Sequence, residues 1–121
     1  MKPVIGITAD LDPDSERERS GGVLRVNWNY AQCVANAGGI PLILPPQSDF
    51  DSIETLIDGL LIPGGNDIDA LTWGEPNHPA TKLVAPERFR SESALIAAAP
   101  PDLPVLGICY GCQLLNVVRG G

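Results

Sequence analysis

Cys109 stands two residues after Gly107 and two before Gly111. It ends the apolar run Leu103-Pro104-Val105-Leu106 and precedes a helix-compatible stretch from Cys112 to Arg119. A strand that feeds a helix through so tight a turn needs small flanking residues, and it lifts the side chain at the turn above the sheet. A cysteine placed there is a candidate catalytic nucleophile, because the positive end of the helix dipole stabilises its thiolate. A lone cysteine after a strand can instead be a small buried hydrophobe. The two glycines, each where backbone clearance is needed, favour the nucleophile. Cys109 and Cys112 also form a C-x-x-C, the spacing of dithiol redox motifs at strand–helix junctions, and that reading stands as an alternative. Gly107, Gly111 and Gln113 would have no part in dithiol exchange. With no second C-x-x-C and a single histidine, a set of about four zinc ligands cannot be assembled, so no metal and no cofactor are expected.

A second chemistry-bearing stretch is Pro63-Gly64-Gly65-Asn66-Asp67, directly after the apolar run Leu60 to Ile62. A glycine pair at the carboxyl end of a strand lets the backbone approach a ligand and aim an N–H group at it. An ordinary turn is the competing reading. His78, in the loop Glu75-Pro76-Asn77-His78-Pro79, is expected at the surface, since nothing in its surroundings places it beside Cys109. Cys33, inside the first predicted helix, is expected to be a small buried residue.

The elements that would carry these residues alternate. Strands are predicted over Pro3–Thr8, Ile40–Leu44, Leu60–Ile62 and Pro104–Ile108, the first two as runs covered on both faces. Helices are predicted from Trp28 to Ala37 behind an Asn27 cap, with Ala31, Val34 and Ala35 on its packed face, and from Pro86 to about Ala99. A short helix is marked by Phe50, Ile53, Leu56 and Ile57. Ala9 to Arg25 and Ile68 to Ala85 have no periodicity and are expected to be irregular. Alternating strands and helices imply an α/β fold, a parallel sheet with right-handed crossovers and helices on both faces. Cys109 and Gly64-Gly65 would then share the carboxyl end of the sheet, where such folds bind ligands.

The 121 residues are enough for one core. Eight basic residues against fifteen acidic ones, a net charge of −7, argue against a nucleic-acid partner and leave no basic stripe for a membrane surface. No apolar stretch approaches the ~20 residues of a membrane span, and Met1 to Thr8 is too short and proline-punctuated for a signal peptide. Three cysteines, an odd number, do not suggest a disulfide framework. A cytoplasmic location is expected.

Four segments in order, PVIGIT (3–8), NYAQCVANAGGIPLILPP (29–46), DGLLIPGGNDID (58–69) and LPVLGICYGCQLLNVVRGG (103–121), resemble the class-I glutamine amidotransferase superfamily. Within it they are most similar to the γ-glutamyl-γ-aminobutyrate hydrolase (peptidase C26) group. The resemblance implies a flavodoxin-like fold, incomplete here, with residues 1–121 forming the amino-terminal half of the domain. It implies that Cys109 attacks the γ-carboxamide of a small γ-glutamyl substrate and forms a thioester. The backbone N–H groups of Gly65 and Tyr110 would form the oxyanion hole, with Gly64 and Gln113 supporting the substrate pocket. The family's histidine base and acidic partner belong to a second half without counterpart in this sequence. Tyr110 stands where many members of the group have arginine, and Arg88-Phe89 where Arg-Asp is frequent. The GICYGxQ elbow also resembles the glutaminase part of biosynthetic amidotransferases, which remains an alternative. So does a non-catalytic half-domain acting only by association. A half-sheet would leave a strand edge and apolar surface uncovered, so a homo-oligomer or association with a second half is expected.

Overall fold

The computed structural model describes residues 1–13, 21–47 and 52–121. The elements follow in the order β1 (Val4–Thr8), β2 (Asp10–Asp12), β3 (Val23–Arg25), α1 (Trp28–Asn36), β4 (Ile40–Leu44), β5 (Gly59–Ile62), α2 (Pro86–Ala98), β6 (Val105–Gly107) and α3 (Tyr110–Val118). Four of the apolar runs become one parallel sheet in the order β4-β1-β5-β6. Consecutive strand residues point to opposite faces, and the sheet is covered on both. A Cβ placed on Gly39 would meet Val34 of α1 and Ile5, whereas one on Gly6 would meet Leu44 and Ile57. On that second face Leu60 and Ile62 join Leu95 and Ile96 of α2 and Tyr110 and Leu114 of α3 in the main core. The fold is thus α/β, as the class-I amidotransferase likeness implies.

The order of the strands matters for the site. From β1 the chain crosses to β4 on one side, and from β5 it crosses to β6 on the other. Loops diverge at the carboxyl ends of β1 and β5, and a crevice opens between them.

Helix α2 begins with Pro86 in its first turn, where a missing N–H costs nothing. Its buried face is Arg88, Ser91, Glu92, Leu95 and Ile96. That is the i, i+3, i+4, i+7, i+8 stripe of a core-facing helix, but its first three members are polar. Burying them requires partners, and the partners lie at the site.

Several expectations are corrected. The stretch Ala9–Arg25, expected to be irregular, carries a short antiparallel ribbon in which Asp10 to Asp12 pairs with Arg25 to Val23. Three-residue strands are too short for periodicity to reveal. Residues 14–20 between them lie outside the described residues. β4 is not covered on both faces: Ile40, Leu42 and Ile43 are exposed and only Leu44 is buried. It is an edge strand, and α1, which packs on β4 and β1, buries none of its own residues fully. Ala35 and Cys33 of α1 are exposed, so the buried reading of Cys33 fails. A helix lying on a sheet edge has too little sheet beneath it to cover positions away from its contact line. Asn27 precedes α1 but makes no side-chain cap. The predicted short helix is reduced to a single 3-10 turn over Ile53–Thr55, and Phe50 lies outside the described residues. A 3-10 turn over Ala70–Trp73, capped by the Asp69 side chain, punctuates the otherwise irregular stretch before α2.

Candidate active site

Helix α3 starts at Tyr110, two residues before the predicted start at Cys112, and this puts Cys109 at the N-cap position. Cys109 has φ 51° and ψ −109°, a left-handed backbone that costs a non-glycine residue of order 1–3 kcal/mol. Three backbone bonds hold the turn. Ile108 N–H donates to Ile62 O at 3.0 Å, Gly111 N–H to Ile108 O at 2.9 Å, and Gln113 N–H to Cys109 O at 3.0 Å. The flanking glycines supply clearance, not unusual dihedrals. A Cβ on Gly107 would lie 2.5 Å from the Gly111 carbonyl, and one on Gly111 would overlap the Ile62 carbonyl oxygen. The positive φ falls on the cysteine itself. Its thiol is exposed and free, as are those of Cys33 and Cys112, and it makes no capping hydrogen bond.

The diglycine loop lies against this turn. A Cβ on Gly64 would stand 3.8 Å from Cys109 Cβ and 3.5 Å from the Tyr30 hydroxyl, and one on Gly65 would stand 3.5 Å from the Tyr110 ring. The structure therefore brings together Cys109, Gly64, Gly65 and Tyr110, four of the residues singled out in the sequence. The N–H of Gly65 has no acceptor among the described residues. That of Tyr110, in the first turn of α3, has no partner within the helix. Gln113 lies on the same first turn, exposed. His78 is exposed in its loop, where Nδ1 accepts the Ala80 N–H at 3.0 Å, and among the described residues no hydrogen bond links it to the Cys109 turn. A cavity of about 360 Å³ occupies the crevice between β1 and β5, lined by residues including Thr8, Asp10, Tyr30, Gly64 and Arg88 but not by Cys109. A larger one, of about 760 Å³, lies between the β2–β3 ribbon and the start of α2 and reaches neither Cys109 nor Gly64.

Beneath the two loops sits a buried polar cluster that sequence reasoning missed. Arg88 and Glu92 are each 1% exposed. Arg88 Nε donates to Glu92 Oε1 at 3.0 Å and to Oε2 at 3.2 Å. Its Nη1 reaches Gly64 O at 3.2 Å and its Nη2 reaches Pro63 O at 3.1 Å. Asp10, half-buried, is 3.6 Å from Nη1. Glu92 also accepts from Thr8 Oγ1 at 2.6 Å and from the Tyr110 hydroxyl at 3.0 Å. The guanidinium lies over the Tyr110 ring, 4.4 Å from its centroid. Burial pushes the Glu92 carboxyl above its ordinary range, against the opposing pull of Arg88 and the hydrogen bonds from Thr8, Tyr110 and Arg88. Burial, followed by the neighbouring Glu92 charge and hydrogen bond, raises the Tyr110 hydroxyl strongly. The available signal was two opposite charges four residues apart on the stripe that also carries Leu95 and Ile96.

Among the described residues no group of three or more His, Cys, Asp and Glu side chains could hold a metal ion. Nor is any helix of those residues long and apolar enough to cross a membrane.

A parallel α/β sheet with a cysteine at a strained strand–helix turn, a diglycine loop beside it and helices on both faces defines a class-I amidotransferase-like fold. The peptidase C26 family model matches residues 3–121, and the chain belongs to that family. It is 40% identical to a Mycobacterium tuberculosis protein named as a glutamine amidotransferase, over 99% of this chain and 41% of that one. It is 35% identical to a glutamine amidotransferase-like protein of Rickettsia prowazekii, over 99% of this chain and 44% of the relative. Similarity extends to the gamma-glutamyl-gamma-aminobutyrate hydrolase of Escherichia coli O157:H7, 29% identical over 98% of this chain and 47% of the enzyme. The chain thus spans less than half the length of these curated relatives.

Proposed function

We propose that this chain carries the nucleophile and oxyanion portion of a γ-glutamyl acyl-transfer site. The observation that supports this most is the strained Cys109 turn packed against the Gly64-Gly65 loop. In the proposed reaction the Cys109 thiolate adds to the γ-carbonyl carbon, and the C=O electron pair moves onto oxygen. The N–H groups of Gly65 and Tyr110 receive the oxyanion; preorganised donors of this kind are worth about 10²–10³ in rate each. Collapse breaks the C–N bond, the amine leaves with a proton, and a thioester remains on Cys109 until water attacks it. In this reading Gly64 and Gln113 support the substrate pocket. A general base is worth about 10²–10⁴-fold, and in this reading the base, and the acid that protonates the amine, come from a segment beyond this chain.

An activated γ-glutamyl ester tests the reading, because a p-nitrophenolate leaves without being protonated. The chain should gain one γ-glutamyl group at Cys109, removable by hydroxylamine, and Cys109→Ala should gain none. Modification that persists in Cys109→Ala would sink the proposal.

A second reading, action by association, draws support from Leu106, which is 61% exposed on the edge strand β6. An apolar edge strand recruits further strands, and in this reading the recruit is the remainder of the domain present in the longer relatives. Solution mass separates the outcomes: a stable monomer at micromolar concentration would argue against a sticky edge.

A further inference from the structure

We propose that the buried Arg88–Glu92 pair is a positioning clamp that fixes the Gly65 and Tyr110 N–H groups relative to one another. It rests on the acyl-transfer reading above, since it gives those two donors a shared purpose. Arg88 stands in the wall of the crevice cavity with Glu92 buried behind it, and both act through the backbone they hold.

Gly64 O and the Gly65 N–H belong to the same planar unit, and no cis bond occurs among the described residues. In a trans peptide the C=O and N–H point in opposite directions. Arg88 Nη1 holds Gly64 O, so the Gly65 N–H is turned away from the guanidinium and out of the buried cluster. Nη2 holds the preceding carbonyl, that of Pro63. Two consecutive carbonyls on one rigid fork leave the loop little freedom to rotate either plane. The contact also explains why position 65 is glycine. A Cβ there would collide with Arg88 Nη1, so a side chain would push the fork off its carbonyls.

The other donor is held from the same point. Tyr110 lies with its ring under the guanidinium and its hydroxyl on Glu92 Oε1. Its ring is 1% exposed, and its own N–H opens α3 directly after Cys109. Glu92 Oε2 is anchored to Thr8 at the carboxyl end of β1. One ion pair therefore ties together the ends of β1 and β5, the middle of α2 and the start of α3. Arginine suits this position because its planar fork serves two carbonyls and a carboxylate at once, which a lysine ammonium cannot reproduce.

The test uses Arg88→Lys, which keeps the charge and loses the fork, and Tyr110→Phe, which keeps the ring and the N–H but loses the bond to Glu92. Two readouts are taken on each folded variant. The first is amide hydrogen exchange at residues 64–66 and 109–112, with β4 as internal reference. The second is the ratio of Cys109 acylation by an activated γ-glutamyl ester to Cys109 alkylation by iodoacetamide. Only acylation develops an oxyanion, while alkylation reports the thiolate alone. In Arg88→Lys the clamp predicts faster exchange at 64–66 and an acylation-to-alkylation ratio lower by about 10- to 100-fold. Tyr110→Phe should show a smaller loss, centred on 109–112. A purely structural role would lower the melting temperature and leave the ratio unchanged, which overturns the proposal. Unchanged exchange with a normally acylated wild type overturns the clamp alone. A wild type that is never acylated overturns the acyl-transfer reading and the clamp's catalytic meaning with it.

Discussion

The Tyr110 hydroxyl donates to Glu92 Oε1 at 3.0 Å, across eighteen positions of sequence. The residue next to Cys109 is thereby fastened to the middle of α2. Both side chains are 1% exposed, so neither can exchange its partner for water, and the bond couples the turn to the core.

Alkaline stability should report this bond. Burial, then the charge and hydrogen bond of Glu92, raise the Tyr110 hydroxyl far above its ordinary 10.0. Above that pH the unfolded chain has lost the tyrosine proton while the folded chain keeps it, so unfolding releases a proton and becomes easier as pH rises. Stability from this group is complete below about pH 10 and falls above it, by at most about 1.4 kcal/mol per pH unit. Denaturant melts across that range should show the loss in wild type and a shallower slope in Tyr110→Phe.

The ion pair predicts a non-additive double-mutant cycle. Glu92→Leu leaves Arg88 buried with only the half-buried Asp10, 3.6 Å away, as a carboxylate, and Arg88→Met leaves Glu92 buried without its cation. Each single change should cost about 3–5 kcal/mol. The double variant should be markedly more stable than the sum of the two losses, because no uncompensated charge remains. Additive losses in equilibrium unfolding would mean that the two side chains act independently.

The glycines at the site should separate into two classes. Gly111→Ala drives a methyl into the Ile62 carbonyl and should lower stability by about 1–3 kcal/mol or more. Gly64→Ala meets only ordinary contacts, 3.5 Å to Tyr30 Oη and 3.8 Å to Cys109 Cβ. It should fold with a melting temperature close to wild type and be acylated more slowly, because the methyl fills the space beside the thiol.

Strain at Cys109 should be visible in stability as well. Its φ of 51° suits glycine. Cys109→Gly should therefore be more stable than Cys109→Ala, by about 1 kcal/mol after glycine's greater chain entropy is counted. Equal melting temperatures for the two variants would mean the turn stores no strain.

Sequence and structure agree and part along physical lines. The four strands of the parallel sheet were legible because each is a short apolar run bounded by proline, glycine or a charged residue. The closeness of Cys109 and Gly64-Gly65 was legible because both follow strands of one sheet. Arg88 and Glu92 were not, since a charged pair at i, i+4 on a helix is ordinarily solvated, and only the fold shows that this stripe faces the core. The exposure of β4 and Cys33 was hidden for the opposite reason. Ile40 to Leu44 has the composition of a central strand, and composition does not report how much helix lies over an edge. The start of α3 at Tyr110 was masked by Gly111, which weakens helix propensity and is present for clearance against Ile62.

The most direct test of the central claim is competitive labelling by a glutamine-mimicking electrophile, read by intact mass and then by peptide mapping. Cys33, Cys109 and Cys112 are all exposed and free, so the chain carries its own controls. An acyl-transfer site at the Cys109 turn predicts one adduct, on Cys109, formed well ahead of any at Cys33 or Cys112 and absent in Cys109→Ala. Labelling spread evenly over the three thiols, or none at Cys109 with its thiol free, would contradict the account.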